Sequence, residues 1–126
     1  MQRRSRAPVA LVSALLVAMA LYHLYAAIVG VPAQVLRPVH VGFVLALVFL
    51  LCPPHRHQRQ GPGWWDVACA LVGAATIAFL LAEGAAFWAR HHDPKPSDVF
   101  FGTALVLLVL EACRRALDWF TTHLAL

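Results

Sequence analysis

The chain has 126 residues, of which 61% are hydrophobic and only 13% charged. Soluble domains carry about 45–50% apolar and about 25% charged residues, so a water-exposed globule is excluded for want of polar residues to cover it. The formal net charge of +4 does not bring in nucleic acid as a partner, because the basic residues flank apolar runs instead of forming one patch.

Four apolar blocks follow one another. The first, PVALVSALLVAMALYHLYAAIVG, predicts a helix over about residues 8–30. The second, VHVGFVLALVFLLC, is short and borrows Val35 and Leu36 to give about 35–52. The third, WWDVACALVGAATIAFLLAEGAAFWA, covers 64–89, and the fourth runs over about 98–117. A helix needs about 20 residues to cross roughly 30 Å of hydrocarbon. The expected fold is therefore all-α: an integral membrane bundle of four transmembrane helices, occupying residues 8–120. It follows a basic N-terminus (1–7) and precedes a short C-terminal tail (121–126).

The separators support these boundaries. VPAQVLRP contributes Pro32 and Pro38 and favours a turn with a new helix start. CPPHRHQRQGPG is too rich in proline and glycine for regular helix. In RHHDPKPSD, Ser97 or Asp98 is placed to cap the fourth helix. Trp64, Trp65 and Trp88 bracket the third helix as interfacial anchors.

Orientation comes from Lys and Arg. With the N-terminus inside, Arg3, Arg4, Arg6, Arg56, Arg59, Arg114 and Arg115 face the cytoplasm, and Arg37, Arg90 and Lys95 face out. That bias favours N-in and C-in. The opening MQRRSRAPVALVSALLVAMA also has the look of a secretory signal with cleavage near Ala18-Met19-Ala20, which would leave three helices. The apolar stretch, however, continues to Val29 and favours a retained helix. Cys52, Cys69 and Cys113 form no paired framework and are expected to be small buried apolar side chains.

In lipid, small residues let helices approach closely. Ala70, Ala74, Ala78, Ala82 and Ala86 lie four apart on the third helix and form one stripe, expected to pack in the bundle or against a partner chain. His23 and His40 fall near the outer ends of the first two helices, where an interhelical hydrogen bond is expected. The HRH and HHD tracts sit in proline-rich loops without further ligands at fixed spacing, so neither a metal nor a cofactor is expected. Glu83 is placed at the outer interface.

Glu111 follows an uncharged run and lies about 13 residues past Asp98, hence roughly 20 Å into the layer. Arg114 and Arg115 come three and four residues later and can reach back to it, with the acid first, which is the favourable order. This cluster is either an ordinary inner boundary or a docking point for another helix or subunit. No nucleophile elbow, carboxylate pair or phosphate loop is present, and no enzyme activity is expected.

Segments LYHLYAA, HVGFVLALVFLLCP, GWWDVACAL and DVFFGTALVLLVLEACRRALDW, spanning Leu21 to Trp119, resemble the N-terminal region of TAXI-type TRAP transporter permeases. The most specific element is LVLEACRR, similar to the family's LVLEATRR. The resemblance implies a small, Q-like four-helix component of the bacterial inner membrane. Such a component supports a large permease subunit, which a periplasmic solute-binding protein supplies with solutes such as carboxylates. It implies a separate subunit or a fragment of a fused permease, since the family continues into further helices. Two other readings stay open: an assembly factor, and a small multidrug-type transporter, against which stands the lack of an acid in the first helix.

Overall fold

The computed structural model describes residues 9–52, 63–90 and 92–124, the side chains of 119–123 excepted. The basic residues of 1–7, the loop carrying Arg56 and Arg59, His91 and the last two residues fall outside that set. The orientation argument therefore rests on sequence alone. Four helices are present: α1 (Val9–Val29), α2 (Ala33–Leu51), α3 (Trp64–Ala89) and α4 (Pro96–Leu124). All four are long and apolar enough to cross a membrane, and the chain is a multi-pass membrane protein of all-α architecture. Leucines and valines are exposed on every helix, and Trp64, Trp65 and Trp88 on α3, as a lipid-facing surface requires.

The boundaries follow from end chemistry. α2 begins earlier than expected because Pro32 occupies its cap position, and Pro38 is accommodated inside the helix. α4 begins at Pro96, so neither Ser97 nor Asp98 caps it. Proline suits the first helical position, where its missing N–H needs no partner. Asp98 instead sits in the first turn, and its carboxylate accepts the backbone N–H of Lys95 at 3.0 Å. Asp66 does the same at the start of α3, accepting the N–H of Gly63 at 2.8 Å. A carboxylate there also meets the positive end of the helix dipole. α4 continues past residue 117 to Leu124, so residues 121–124 belong to the helix, not to a separate tail.

Adjacent helices are antiparallel. His23 meets His40 across α1 and α2, Gly42 faces Ile77 across α2 and α3, and Phe79 stacks on Phe101 across α3 and α4 at 4.4 Å. α2, α3 and α4 all touch one another, whereas α1 packs on α2 alone among the described residues. The bundle is thus a three-helix core with α1 attached to one side. That core is built on Leu45 and Phe49 of α2 with Leu108 and Ala112 of α4, and Cys69 and Leu105 pack against it.

Two glycines shape α3 and its neighbour. A Cβ on Gly42 would lie 3.2 Å from Ile77 Cγ1, so glycine sets how closely α2 and α3 approach. Gly84 interrupts α3 with φ 48° and ψ −128°, a conformation that side chains on the L-backbone disfavour. Gly42→Leu should force α2 and α3 apart and cost about 1–3 kcal/mol. Thermal unfolding in detergent micelles would show this as a lowered midpoint relative to Gly102→Ala, whose Cβ meets nothing within 4 Å.

A buried arginine clasp and its counterpart at the opposite end

At the end of the bundle shared by the start of α3 and the end of α4, Arg115 turns inward and is almost completely buried, 1% exposed. Its Nη1 donates to Asp66 Oδ1 at 2.6 Å, and its Nε donates to Glu111 Oε1 at 2.7 Å. The guanidinium lies over the Phe49 ring, 4.9 Å from its centroid, a favourable cation–π placement. Three helices therefore converge on one side chain. Asp66 is itself buried, 3% exposed, so each charge of this pair depends on the other. Arg115 Nη2 is the one buried nitrogen of the group without a hydrogen-bond partner among the described residues.

Arg114, the next residue, points the other way and is about half exposed. It donates to both oxygens of Glu111 at 2.8 Å and to Asp118 at 3.3 Å. Glu111 thus bridges an inward and an outward arginine. The cluster singled out in sequence as a boundary or docking point has two faces. Arg115 holds α4 to α3 and α2 within the chain, and only Arg114 with its carboxylates is presented outward.

The opposite end of the α3–α4 hairpin repeats the motif. Arg90, just after α3, donates to Asp98 through Nε and Nη2, both at 2.8 Å, and pairs with Glu83. The Asp98 hydrogen bond, reinforced by Glu83, raises the Arg90 guanidinium above its ordinary pKa. Glu83 is partly exposed and also lies 3.9 Å from Lys95, so it is a bridging acid at the hairpin end. Each end of the hairpin therefore holds one arginine between an aspartate in the first turn of a helix and a glutamate.

His23 and His40 meet. His23 Nδ1 donates to Met19 O at 2.7 Å, which leaves its Nε2 to accept from His40 Nδ1 at 3.0 Å. Tyr22 sits edge-on to His23 and tilts toward Phe43 of α2. This polar pair is the main directional contact between α1 and α2.

The alanine stripe is not a seam inside the bundle. Ala74, Ala78, Ala82 and Ala86 are exposed and Ala70 is half-buried. α3 instead buries Asp66, Gly73, Thr76 and Ile77, a face offset from the stripe. Ala70, Ala74 and Ala78 line an apolar groove of about 400 Å³ between α3 and α2, floored by Gly42 and Gly73. The cysteines differ from one another: Cys52 is buried, Cys69 half-buried and Cys113 exposed, so Cys113 departs from the expectation of burial. Burial pushes the Cys52 thiol pKa up.

Sequence reasoning missed Asp66 and Phe49. Asp66 carried a readable signal, being the one acid in the apolar WWDVACALVGAATIAFLLA run, near the same bundle end as the arginines. Phe49 carried none, because its role depends on helix rotation. No group of His, Cys, Asp and Glu able to hold a metal exists among the described residues. Comparison with protein families, curated proteins and solved structures found no match.

Removing one partner of a buried pair strands the other charge, at a cost of roughly 3–5 kcal/mol. Arg115→Ala should therefore lower the unfolding midpoint strongly, while Arg114→Ala, whose partners are partly exposed, should cost about 0–1 kcal/mol. Thermal melts of the two variants in the same detergent compare them directly, and equal losses would contradict the inward–outward division. His23→Phe should leave the α2–α3–α4 core intact but loosen α1. A disulfide cross-link engineered between α1 and α2 should then form more slowly than in the parent, at unchanged unfolding midpoint.

Proposed function

We propose that this chain is a membrane scaffold: a small four-helix unit that seats a larger membrane partner and holds it in place. The observation that carries this reading is the pairing of the charges at the two ends of the α3–α4 hairpin. Arg90, Arg114, Arg115, Glu83, Glu111, Asp66 and Asp98 are all engaged within the chain. The heart of the bundle is filled by Leu45, Phe49, Leu108 and Ala112. The exposed face of α3 offers alanines at a four-residue repeat, the kind of surface on which membrane helices approach closely. Such a molecule has a frame fastened by ion pairs and a grooved apolar face of small residues, and it lacks an acid in α1 for ion coupling of the small multidrug kind.

The resemblance of LVLEACRR and its neighbouring segments to TAXI-type TRAP permeases gives the specific form of the proposal. The chain would be the small component of a tripartite uptake system in a bacterial inner membrane, N-in and C-in. Its partner would be the large permease subunit, supplied by a periplasmic solute-binding protein with organic solutes such as carboxylates. Glu111 braces the buried Arg115, so substitution there disturbs the bundle itself. Docking is better probed on the alanine face and at Arg114.

Affinity purification of the tagged chain from membranes that also express the large permease tests the reading. Ala78→Trp should abolish recovery of the large subunit while helix content and unfolding midpoint stay at parental values. Unchanged recovery would reject the alanine face as the seat. Solute flux by the purified chain alone in vesicles would reject the scaffold role altogether.

A further inference from the structure

Near the start of α2, the three core helices enclose a cavity of about 630 Å³, distinct from the alanine groove and open to one side. Its walls include Pro38 and Val41 of α2, Thr76 and Leu80 of α3, and Phe101 and Leu105 of α4. Thr76 supplies no free donor, because its hydroxyl donates to Val72 O at 2.8 Å in its own helix. The interior is therefore apolar. The polar groups lie at the mouth, where Gln34 and Arg37 stand together on the first turns of α2. Arg37 is exposed and makes no ion pair among the described residues, unlike Arg90, Arg114 and Arg115.

The depth of this cavity matches one leaflet. Arg37 is four residues into α2, about 6 Å below its start, within reach of the headgroups for an extended arginine side chain. Val41 and Leu105 lie about 12 and 14 Å from the starts of their helices, close to half of a hydrocarbon core of about 30 Å. Gly102 opens the wall: a Cβ there meets nothing within 4 Å. An apolar chamber one leaflet deep, under an unpaired guanidinium at headgroup level, fits one class of molecule present throughout the bilayer.

We infer that the cavity between α2, α3 and α4 binds an acidic phospholipid, with an acyl chain inside and the phosphate on Arg37. The volume falls within the range of about 300–1,000 Å³ typical of ligand sites. Arg37 supplies the preference for anionic lipid, Gln34 adds a neutral hydrogen-bonding group, and the aromatic pair Phe87 and Trp88 closes the side toward the end of α3. The inference does not depend on the scaffold reading, since it concerns lipid and not a protein partner.

Trp88 lines the site and gives the readout. In a chain with Trp64, Trp65 and Trp119 changed to Phe, the fluorescence of Trp88 reports bromine-labelled acyl chains that enter the cavity. In phosphatidylcholine vesicles, brominated phosphatidylglycerol at a minor fraction should quench about fivefold more effectively than brominated phosphatidylcholine at the same fraction, one arginine's worth of preference. Arg37→Gln should erase that preference, and Arg37→Lys should keep it. Gly102→Leu should reduce quenching by both lipids at unchanged helix content. Soluble glycerol phosphate, which has the headgroup but no chain, should not relieve the quenching. Equal quenching by the two lipids in the parent would overturn the inference. So would a preference surviving Arg37→Gln, quenching untouched by Gly102→Leu, or competition by glycerol phosphate.

Discussion

The structure turns on a charge placed where charge is expensive. A guanidinium within a membrane bundle costs at least about 2.5–3.5 kcal/mol even on lenient insertion scales, yet Arg115 is buried among α2, α3 and α4. It is tolerated because two carboxylates and an aromatic face meet it there. The consequence is geometric. Asp66 and Arg115 can satisfy each other only if α3 and α4 hold one register and one rotation, and Phe49 extends the same condition to α2. Dispersion between alanines and leucines would tolerate slippage by a turn; this pair does not.

The cluster at the opposite end of the α3–α4 hairpin acts in the same way with looser geometry. Arg90 lies between Asp98 and Glu83, so the α3–α4 hairpin is fastened at both ends by arginines whose carboxylates sit partly in helix first turns. Those aspartates do double duty, accepting the backbone N–H groups of Gly63 and Lys95 that the helix starts leave open. With register fixed at the ends, the middle of the hairpin is free to present small residues outward. That division suits the scaffold role proposed above. α1 stands apart, joined to α2 through a histidine pair and the Tyr22–Phe43 contact.

Much of this was legible in the chain. Four apolar blocks, their punctuation by proline and glycine, and the boundaries of α3 could all be read directly, because length and hydropathy decide them. The meeting of His23 and His40 could be anticipated from a short turn joining antiparallel helices. What could not be read was rotation. Ala70 to Ala86 form a stripe in any helix, but only tertiary packing decides whether the stripe faces in or out, and here Gly73, Thr76 and Ile77 took the inner face. The same ambiguity hid the difference between Arg114 and Arg115, neighbours in sequence that point about 100° apart on a helix. Asp66 was visible as a lone acid in an apolar run, but pairing it across 49 positions required the fold.

The account rests on direct coupling between Asp66 and Arg115. A double-mutant cycle with Asp66→Asn, Arg115→Gln and the combined variant, followed by unfolding in a lipid-detergent mixture, measures that coupling without reference to any partner or substrate. The combined variant should be clearly less destabilised than the two single losses together, with a coupling of at least about 1 kcal/mol. Strictly additive losses would mean that the two residues act independently, and the clasp would not be what sets the register of the bundle.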